Sequence, residues 1–195
     1  MRCKKLKLIF IGICKTGSTS IVDAFKKKYK ITGKAHSIKN FTYKLDSTIT
    51  KITEDDFNNY KLFTVIRNPY DRIVSLWLWG QKIYKVSFKE FVNNIYNNKY
   101  TEYNRHRYRT MLDWITDDNN IIRVDYIIRF ENLETEFYEL LDKLNIPKLV
   151  LPKLKTAKHM TGKERKHYRE YYDDETRKII YKIYKEDLEY FNYSF

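Results

Sequence analysis

The apolar residues of this chain follow two spacings, one typical of buried strands and one typical of amphipathic helices. Continuous apolar runs predict strands at residues 6–13, 61–67 and within 121–130, with a shorter one within 31–38. Apolar residues three and four positions apart predict helices at residues 18–29, 53–60, 87–97, 105–116, 132–144 and 174–191. The pattern is therefore one of strands that alternate with helices.

A further helix is marked by the residues at its start. Asn68 can cap the first turn, Pro69 suits the first helical position, and Asp71 stands where a capping-box acid belongs. The apolar residues that follow recur at helical spacing and are expected to face the core: Ile73, Val74, Leu76 and Trp77. The segment after the 61–67 strand therefore predicts a helix that begins at Pro69.

Strands that alternate with helices, without an internal repeat, predict an α/β fold with three layers. Its central sheet is mostly parallel and is flanked by helices. A length of 195 residues suits one domain, which we expect to span residues 1–195. Ligands of such sheets lie at the carboxyl ends of the strands. Two predicted strands end in polar segments, at residues 15–20 and 67–69, and these are the first candidates for a site.

The charge of the chain narrows the class of partner. It has 38 basic and 25 acidic residues, a net charge of +13. Such a charge favours anionic partners, either nucleic acid, phosphorylated or sulfated small molecules, or acidic glycans. The alternative for part of this excess is a lysine-rich composition that serves solubility.

The cysteines and the apolar runs bear on the compartment. Cys3 and Cys14 lie near opposite ends of one predicted strand, so we expect no disulfide between them, and no zinc pattern is present. No run approaches the ~20 apolar residues of a membrane span. The basic and then apolar start has a short apolar run and no cleavage pattern, which favours a strand over a signal peptide. We expect a cytoplasmic location.

The loop after the first strand has the chemistry of an anion site. It contains a lysine, a glycine and four hydroxyl residues: Lys15, Thr16, Gly17, Ser18, Thr19 and Ser20. A glycine permits positive φ, and hydroxyls and amides at a helix start attract anions. The lysine precedes the second glycine, unlike the G-x-x-x-x-G-K-[ST] loop that holds triphosphates. An ordinary strand-to-helix turn with a capping serine is the alternative.

The segment after the 61–67 strand offers a second anion site. Arg67 leaves a buried strand at the carboxyl edge of the sheet, where its guanidinium can form two bonds to a phosphate. Ser75 lies two helical turns further on, on the face of Asn68, so Arg67 and Ser75 can hold one phosphate from two sides. The alternative is that Arg67 pairs with Asp71.

The two segments together resemble the motifs of the sulfotransferase family, which uses 3′-phosphoadenosine-5′-phosphosulfate (PAPS) as donor. KTGSTS is similar to the family's P-K-x-G-T-T/S loop around the 5′-phosphosulfate, with Cys14 in place of the proline. RNPYDRIVS matches the R-(N/D)-P-x-x-R-x-x-S motif in full, through Arg67, Asn68, Pro69, Arg72 and Ser75. In the family, the first arginine and the serine of that motif hold the 3′-phosphate.

Two later segments extend the resemblance. IIRFENLETEF, residues 127–137, is similar to the family's strand-then-helix segment with its E-N/D-L core. The closing residues YKEDLEYFNYSF resemble the last helix of the carbohydrate-type branch. The resemblance implies a fold related to the P-loop kinases, PAPS as donor, 3′,5′-ADP (PAP) as product, no metal, and a hydroxyl acceptor on a glycan. Lys15 and the loop amides would stabilise the charge that grows on the leaving nucleotide.

An acceptor hydroxyl needs a base, and His36 is the candidate, since relatives of the carbohydrate type often place a histidine there. A surface histidine is the alternative, and other members use a glutamate, for which Glu54, Asp55 and Asp56 are available unless they only start a helix. His106 and Arg109 lie in a segment that resembles a substrate-facing H-x-x-P-Q stretch that lacks its Pro-Gln. From the basic loop before the last helix, the resemblance carries over Lys155, Thr156 and Lys158 as donor contacts, with a solvated loop as the alternative.

Three other functions stay open. A nucleotide kinase of the P-loop class requires a standard lysine position and magnesium ligands, and neither is present in the sequence. A non-catalytic nucleic-acid binder would use the positive charge, but no known binding module is recognisable, so we expect no nucleic-acid partner. An inactive relative would keep the donor pocket without a working base.

Overall fold

The computed structural model describes residues 1–32, 35–38, 49–99, 106–152 and 164–195. The chain forms two compact units. The first comprises Met1–Ile66 and Met111–Leu154, and the second comprises Arg67–Thr110 and Lys155–Phe195. The expectation of one sulfotransferase domain over the whole chain stays a prediction.

The first unit contains all the strands that the structure describes: β1 (Arg2–Cys3), β2 (Leu8–Ile11), β3 (Ala35–Ser37), β4 (Ile49–Lys51), β5 (Lys61–Ile66) and β6 (Tyr126–Arg129). Four of them form one sheet in the order β1-β2-β5-β6. β2, β5 and β6 are parallel and β1 is antiparallel, which confirms the mostly parallel sheet. β1 was not predicted, because two residues carry no periodicity. β3 and β4 pair in parallel as a separate ribbon.

The first unit has four described helices. They are α1 (Ser18–Lys26), α2 (Glu54–Asn59), α5 (Leu112–Ile115) and α6 (Leu133–Lys143), and a 3₁₀ turn at Phe130–Asn132 precedes α6. Two of them, α1 and α6, contribute to the core against the sheet. Phe10 of β2 contacts Phe63 of β5, with ring centroids 4.8 Å apart, and Phe25 of α1 meets Phe137 of α6. All four rings are fully buried, and each contributes about 1.5–3 kcal/mol by leaving water. The helices that apolar spacing predicted at residues 18–29 and 132–144 therefore do bury apolar side chains in the core.

The described residues of the second unit form helices and turns. Its elements are α3 (Pro69–Tyr84), α4 (Phe88–Tyr96), a 3₁₀ turn at His106–Tyr108, a second at Tyr168–Tyr171, α7 (Asp174–Ile183) and α8 (Lys185–Tyr190). The predicted 105–116 helix is wrong as one element, because only the 106–108 turn and α5 are helical there. The predicted final helix is broken at Tyr184. Tyr184 is fully buried and donates its hydroxyl to the Tyr108 carbonyl at 2.6 Å, a bond that a buried phenol requires.

The start of α3 and the state of the two cysteines agree with most of what the sequence predicted. The Asn68 side chain accepts from the Tyr70 amide at 3.0 Å, with Pro69 at the first helical position, as predicted. Asp71 is the exception, since its carboxylate contacts Arg67 and Arg165 instead of closing a capping box. Neither Cys3 nor Cys14 forms a disulfide. Among the described helices, none combines the length and the apolar character needed to cross a membrane.

Candidate active site

The backbone of the loop after β2 turns sharply at two residues with positive φ, one glycine and one strained lysine. Lys15 has φ 67° and Gly17 has φ 85°, both left-handed, and Gly17 caps α1. A Cβ on Gly17 would lie 2.9 Å from Cδ2 of Leu133 at the start of α6. Positive φ costs a residue such as Lys15 about 1–2 kcal/mol, and strain of this kind is concentrated at functional sites. The positive φ predicted for Gly17 is confirmed.

The hydroxyls of this loop bond to its own backbone. Thr16 Oγ1 donates to the Ile13 carbonyl at 2.9 Å, and Ser18 Oγ donates to the same carbonyl at 2.5 Å. Thr16 is fully buried and Ser20 is buried, whereas Thr19 is exposed. The start of α1 carries no side-chain cap, so its first amides are the donors best placed for an anion. In this structure, Thr16 and Ser18 shape the loop; their role as anion ligands stays a prediction.

A carboxylate lies between two guanidiniums at the start of α3. Arg67 is 5% exposed, and its Nε and Nη2 both lie 2.6 Å from Oδ2 of Asp71. The other carboxylate oxygen accepts from Nη2 of Arg165, which also donates to the Asp71 carbonyl at 3.2 Å. The pairing of Arg67 with Asp71, which the sequence left open, is therefore present. Two positive groups and one negative group leave this Arg67–Asp71–Arg165 cluster with a net positive charge.

The second arginine of the same motif has a structural role. Arg72 is fully buried on α3, and its Nη2 donates to the carbonyls of Arg107 and Arg109, each at 2.9 Å. Its guanidinium lies over the Tyr184 ring, 5.8 Å from the centroid. Arg72 therefore fixes the 107–109 segment, a function that motif spacing alone did not reveal. Ser75, two turns along α3 from Arg67, is buried.

Two tyrosines complete this framework, the fully buried Tyr184 and the half-buried Tyr172. Tyr172 donates its hydroxyl to the Tyr70 carbonyl at 2.9 Å, and Tyr184 donates to Tyr108. Burial raises the pKa of both phenols above the ordinary value. Both hydroxyls therefore stay protonated and remain donors across the physiological range.

The remaining predicted residues are placed only in part. His36 is the central residue of β3, opposite Thr50 of β4, but its side chain lies outside the described part. His106 opens the 3₁₀ turn, and its side chain is likewise outside it. Lys155, Thr156 and Lys158 fall between the described ranges, which resume at residue 164. Arg109 is half-buried. All these roles stay predictions.

The acidic alternatives to His36 serve the start of α2. Asp56 is buried, bonds Arg2 at 2.5 Å, and forms a capping box with Thr53. Glu54 contacts Arg123 at 3.2 Å. These contacts favour the helix-start interpretation over a catalytic one. Within the described ranges, no group of histidine, cysteine or acidic side chains is arranged to hold a metal ion.

The sheet and the strand–loop–helix segment at its carboxyl edge define an α/β protein of the type predicted. A model of the sulfotransferase family matches residues 1–194, so the chain belongs to the sulfotransferase family. An uncharacterized protein of Archaeoglobus fulgidus is 30% identical over 104 residues, which are 52% of this chain and 81% of that protein.

A solved structure supports the fold. The mouse sulfotransferase SULT7A1, crystallised in complex with PAP, superposes with a TM-score of 0.53 at 11% sequence identity. The match covers 96% of this chain and 86% of the mouse chain. At that identity the likeness shows the fold alone, and it confirms the α/β sulfotransferase fold that the sequence resemblance predicted.

Proposed function

We propose that this protein is a PAPS-dependent O-sulfotransferase that sulfates a hydroxyl of a carbohydrate and releases 3′,5′-ADP. One observation supports it most. The buried Arg67 guanidinium stands at the carboxyl end of β5, inside a full R-N-P-x-x-R-x-x-S motif, in a chain that belongs to the sulfotransferase family. The mouse protein of the same fold was crystallised with PAP, which is the product of this reaction.

Each of the two motif segments carries groups that suit one anionic end of the donor. We assign the 5′-phosphosulfate to Lys15 and the 16–20 loop, where a glycine-capped helix start provides amides without a competing side-chain cap. We assign the 3′-phosphate to Arg67 and Ser75, since the Arg67–Asp71–Arg165 cluster has a net positive charge. Lys155, Thr156 and Lys158 are proposed as further donor contacts.

The reaction exchanges one sulfur–oxygen bond for another. The acceptor oxygen bonds to sulfur while the bond from sulfur to the bridging oxygen of the nucleotide breaks, as in a phosphoryl transfer. Lys15 stabilises the charge that grows on this bridging oxygen, and one such donor is worth about 3 kcal/mol of the barrier. His36 takes the proton of the acceptor hydroxyl. No step calls for a metal.

Three features of the chain favour a glycan as the acceptor. The closing helix resembles that of the carbohydrate-type branch, and the net charge of +13 suits an acidic glycan. His106 and Arg109 are the proposed substrate contacts, and the Arg109 backbone is fixed by Arg72. A fixed backbone lowers the entropy that a bound acceptor costs.

Thermal denaturation with three nucleotides tests the donor. At 100 times its dissociation constant, a ligand stabilises the folded protein by about 2.7 kcal/mol. We expect 3′,5′-ADP to raise the melting temperature and AMP, which lacks the 3′-phosphate, to leave it nearly unchanged. Stabilisation by ATP with magnesium and not by 3′,5′-ADP would instead identify a kinase. Transfer of labelled sulfate from PAPS to a glycan then tests the reaction itself.

A further inference from the structure

The first turn of α3 is bonded to residues from a distant part of the chain. The Asn68 side-chain amide donates to the Ser194 carbonyl at 2.8 Å, across 126 positions. Tyr172 donates its hydroxyl to the Tyr70 carbonyl at 2.9 Å, across 102 positions. Both contacts lie within the second unit. The start of α3, which carries the R-N-P motif, is therefore held by residues that the local sequence does not bring near it.

The Phe195 side chain packs against this first turn of α3. Its ring meets Tyr70 edge-on, with centroids 5.0 Å apart, and meets Tyr172 in the same way at 5.5 Å. The Arg177 guanidinium lies over the Phe195 ring, 4.5 Å from its centroid, and Arg169 Nη2 donates to the Phe195 main-chain oxygen at 2.7 Å. Edge-on ring pairs and cation–ring contacts both favour one orientation of the ring. The half-buried Phe195 therefore has a defined place against α3.

The chain turns sharply after α8 and so reaches the start of α3. Asn192 has φ 54°, in the left-handed region that asparagine tolerates. The Asn192 amide donates to the Glu189 carbonyl at 3.3 Å. The Tyr193 amide donates to the Leu188 carbonyl at 2.9 Å. This pair of bonds is the Schellman motif that ends many helices, so the end of α8 directs Phe195 toward α3.

Arg67 lies one residue before this first turn and depends on its geometry. The Asn68 side chain caps α3 through its oxygen, which accepts from the Tyr70 amide at 3.0 Å, while its amide group is held by Ser194. Arg67 contacts Asp71, one helical turn along α3, with 2.6 Å between Nη2 and Oδ2. A displaced first turn would therefore move the Arg67 guanidinium as well.

We propose that Phe195 is a positioning residue for the donor motif. Together with Ser194 it fixes the first turn of α3, and this turn fixes the guanidinium of Arg67. The inference rests on the proposed function, because it takes Arg67 as the ligand of the 3′-phosphate. Without the Phe195 ring, nucleotide binding has to order Arg67 again. Ordering one long side chain lowers affinity by about 3- to 10-fold.

Titration calorimetry with 3′,5′-ADP and AMP tests the effect on donor binding in the full chain. We expect Phe195→Ala to weaken binding of 3′,5′-ADP about 3- to 10-fold. The affinity for AMP should stay the same, since AMP has no 3′-phosphate. Phe195→Tyr keeps the ring and should keep wild-type affinity. Tyr190→Ala is the matched control, because it removes an exposed aromatic side chain from α8. Unchanged 3′,5′-ADP binding in Phe195→Ala, or an equal loss for AMP, would overturn the proposal.

Amide hydrogen exchange tests the same proposal without a nucleotide. The amides of Tyr70 and Arg72 bond to Asn68 and report on the first turn of α3. In Phe195→Ala both should exchange about 10-fold faster, whereas the Phe91 amide at the start of α4 should not change. Equal acceleration of all three amides would show a general loss of stability and would contradict a positioning role. If the wild type does not bind 3′,5′-ADP, the donor proposal fails, and the exchange result alone decides on Phe195.

Discussion

Two segments that follow parallel strands, both proposed as anion sites, differ in what they can offer an anion. The 15–20 loop after β2 is shaped by its backbone, since its glycine and its strained lysine turn the chain while two hydroxyls bond to Ile13. The Arg67–Asp71–Arg165 cluster after β5 instead presents side-chain charge. The loop should therefore be sensitive to steric change, and the cluster to removal of charge.

The largest effect is expected from the one charged side chain of the loop. If Lys15 stabilises the leaving oxygen, Lys15→Met should lower kcat about 10²–10³-fold, because such a donor acts mainly in the transition state. Binding of 3′,5′-ADP should change far less. Steady-state kinetics with PAPS measures the first effect and calorimetry the second. Lys4→Met, at an exposed position, is the control and should be silent. An unchanged kcat for Lys15→Met would remove the residue from catalysis.

For the Arg67–Asp71–Arg165 cluster we expect the opposite, a loss of nucleotide binding. Arg67→Met should weaken 3′,5′-ADP binding about 10²-fold, as expected when a buried charge-assisted contact is lost. Binding of AMP should stay the same, because AMP has no 3′-phosphate. Calorimetry with both nucleotides measures the ratio. Equal losses for the two nucleotides would place Arg67 away from the 3′-phosphate and would return it to a purely structural pair with Asp71.

Steric change should affect the loop next. Gly17→Ala introduces a methyl group 2.9 Å from Leu133 at a φ of 85°. We expect a loss of about 1–2 kcal/mol in the free energy of unfolding by urea. Gly12→Ala is the control, because its nearest contacts would be an ordinary 3.4 and 3.5 Å. A Gly17→Ala variant as stable as the wild type would show that the loop tolerates another backbone shape.

The sequence predicted most of this fold because its strong periods coincide with the elements that form the core. The runs that became β2, β5 and β6 and the stripes of α1, α4 and α6 were all correct. β1 and β4 were missed, since two or three residues are too few to show a period. The break at Tyr184 was missed because the helical spacing of apolar residues continues through it without interruption.

The candidate site was only partly predictable. The positive φ of Gly17 follows from local chemistry, and so does the cap at Asn68. Arg165 was not considered, because it joins Asp71 from 94 residues along the chain. The structural role of Arg72 was likewise hidden, since its acceptors are backbone carbonyls, which every residue carries.

The hydrogen bond from Tyr184 to Tyr108 allows a test of stability in the second unit, which also contains the Arg67–Asp71–Arg165 cluster. Tyr184→Phe leaves the Tyr108 carbonyl without this donor in a buried setting, which should cost about 1–2 kcal/mol of unfolding free energy. Tyr190→Phe is the matched control, because Tyr190 is 61% exposed. If both variants unfold at the same urea concentration as the wild type, the hydroxyl does not support the 107–109 segment.

The smallest effect is a pH dependence in the unit that holds the cluster. The Thr176 backbone amide bonds the Asp173 carboxylate and holds its pKa below the ordinary value, with a smaller contribution from Lys89. A lowered folded pKa means that this stabilisation is complete above the unfolded pKa, about 3.9, and is lost as pH falls through the folded pKa. Melting temperatures measured from pH 6 to pH 2 should therefore fall less steeply in Asp173→Asn, which keeps the helix cap but cannot titrate.

Because Asp173 is exposed, the difference should be slight and should shrink further in salt. An acid limb that Asp173→Asn leaves unaltered would assign the loss of stability to other carboxylates.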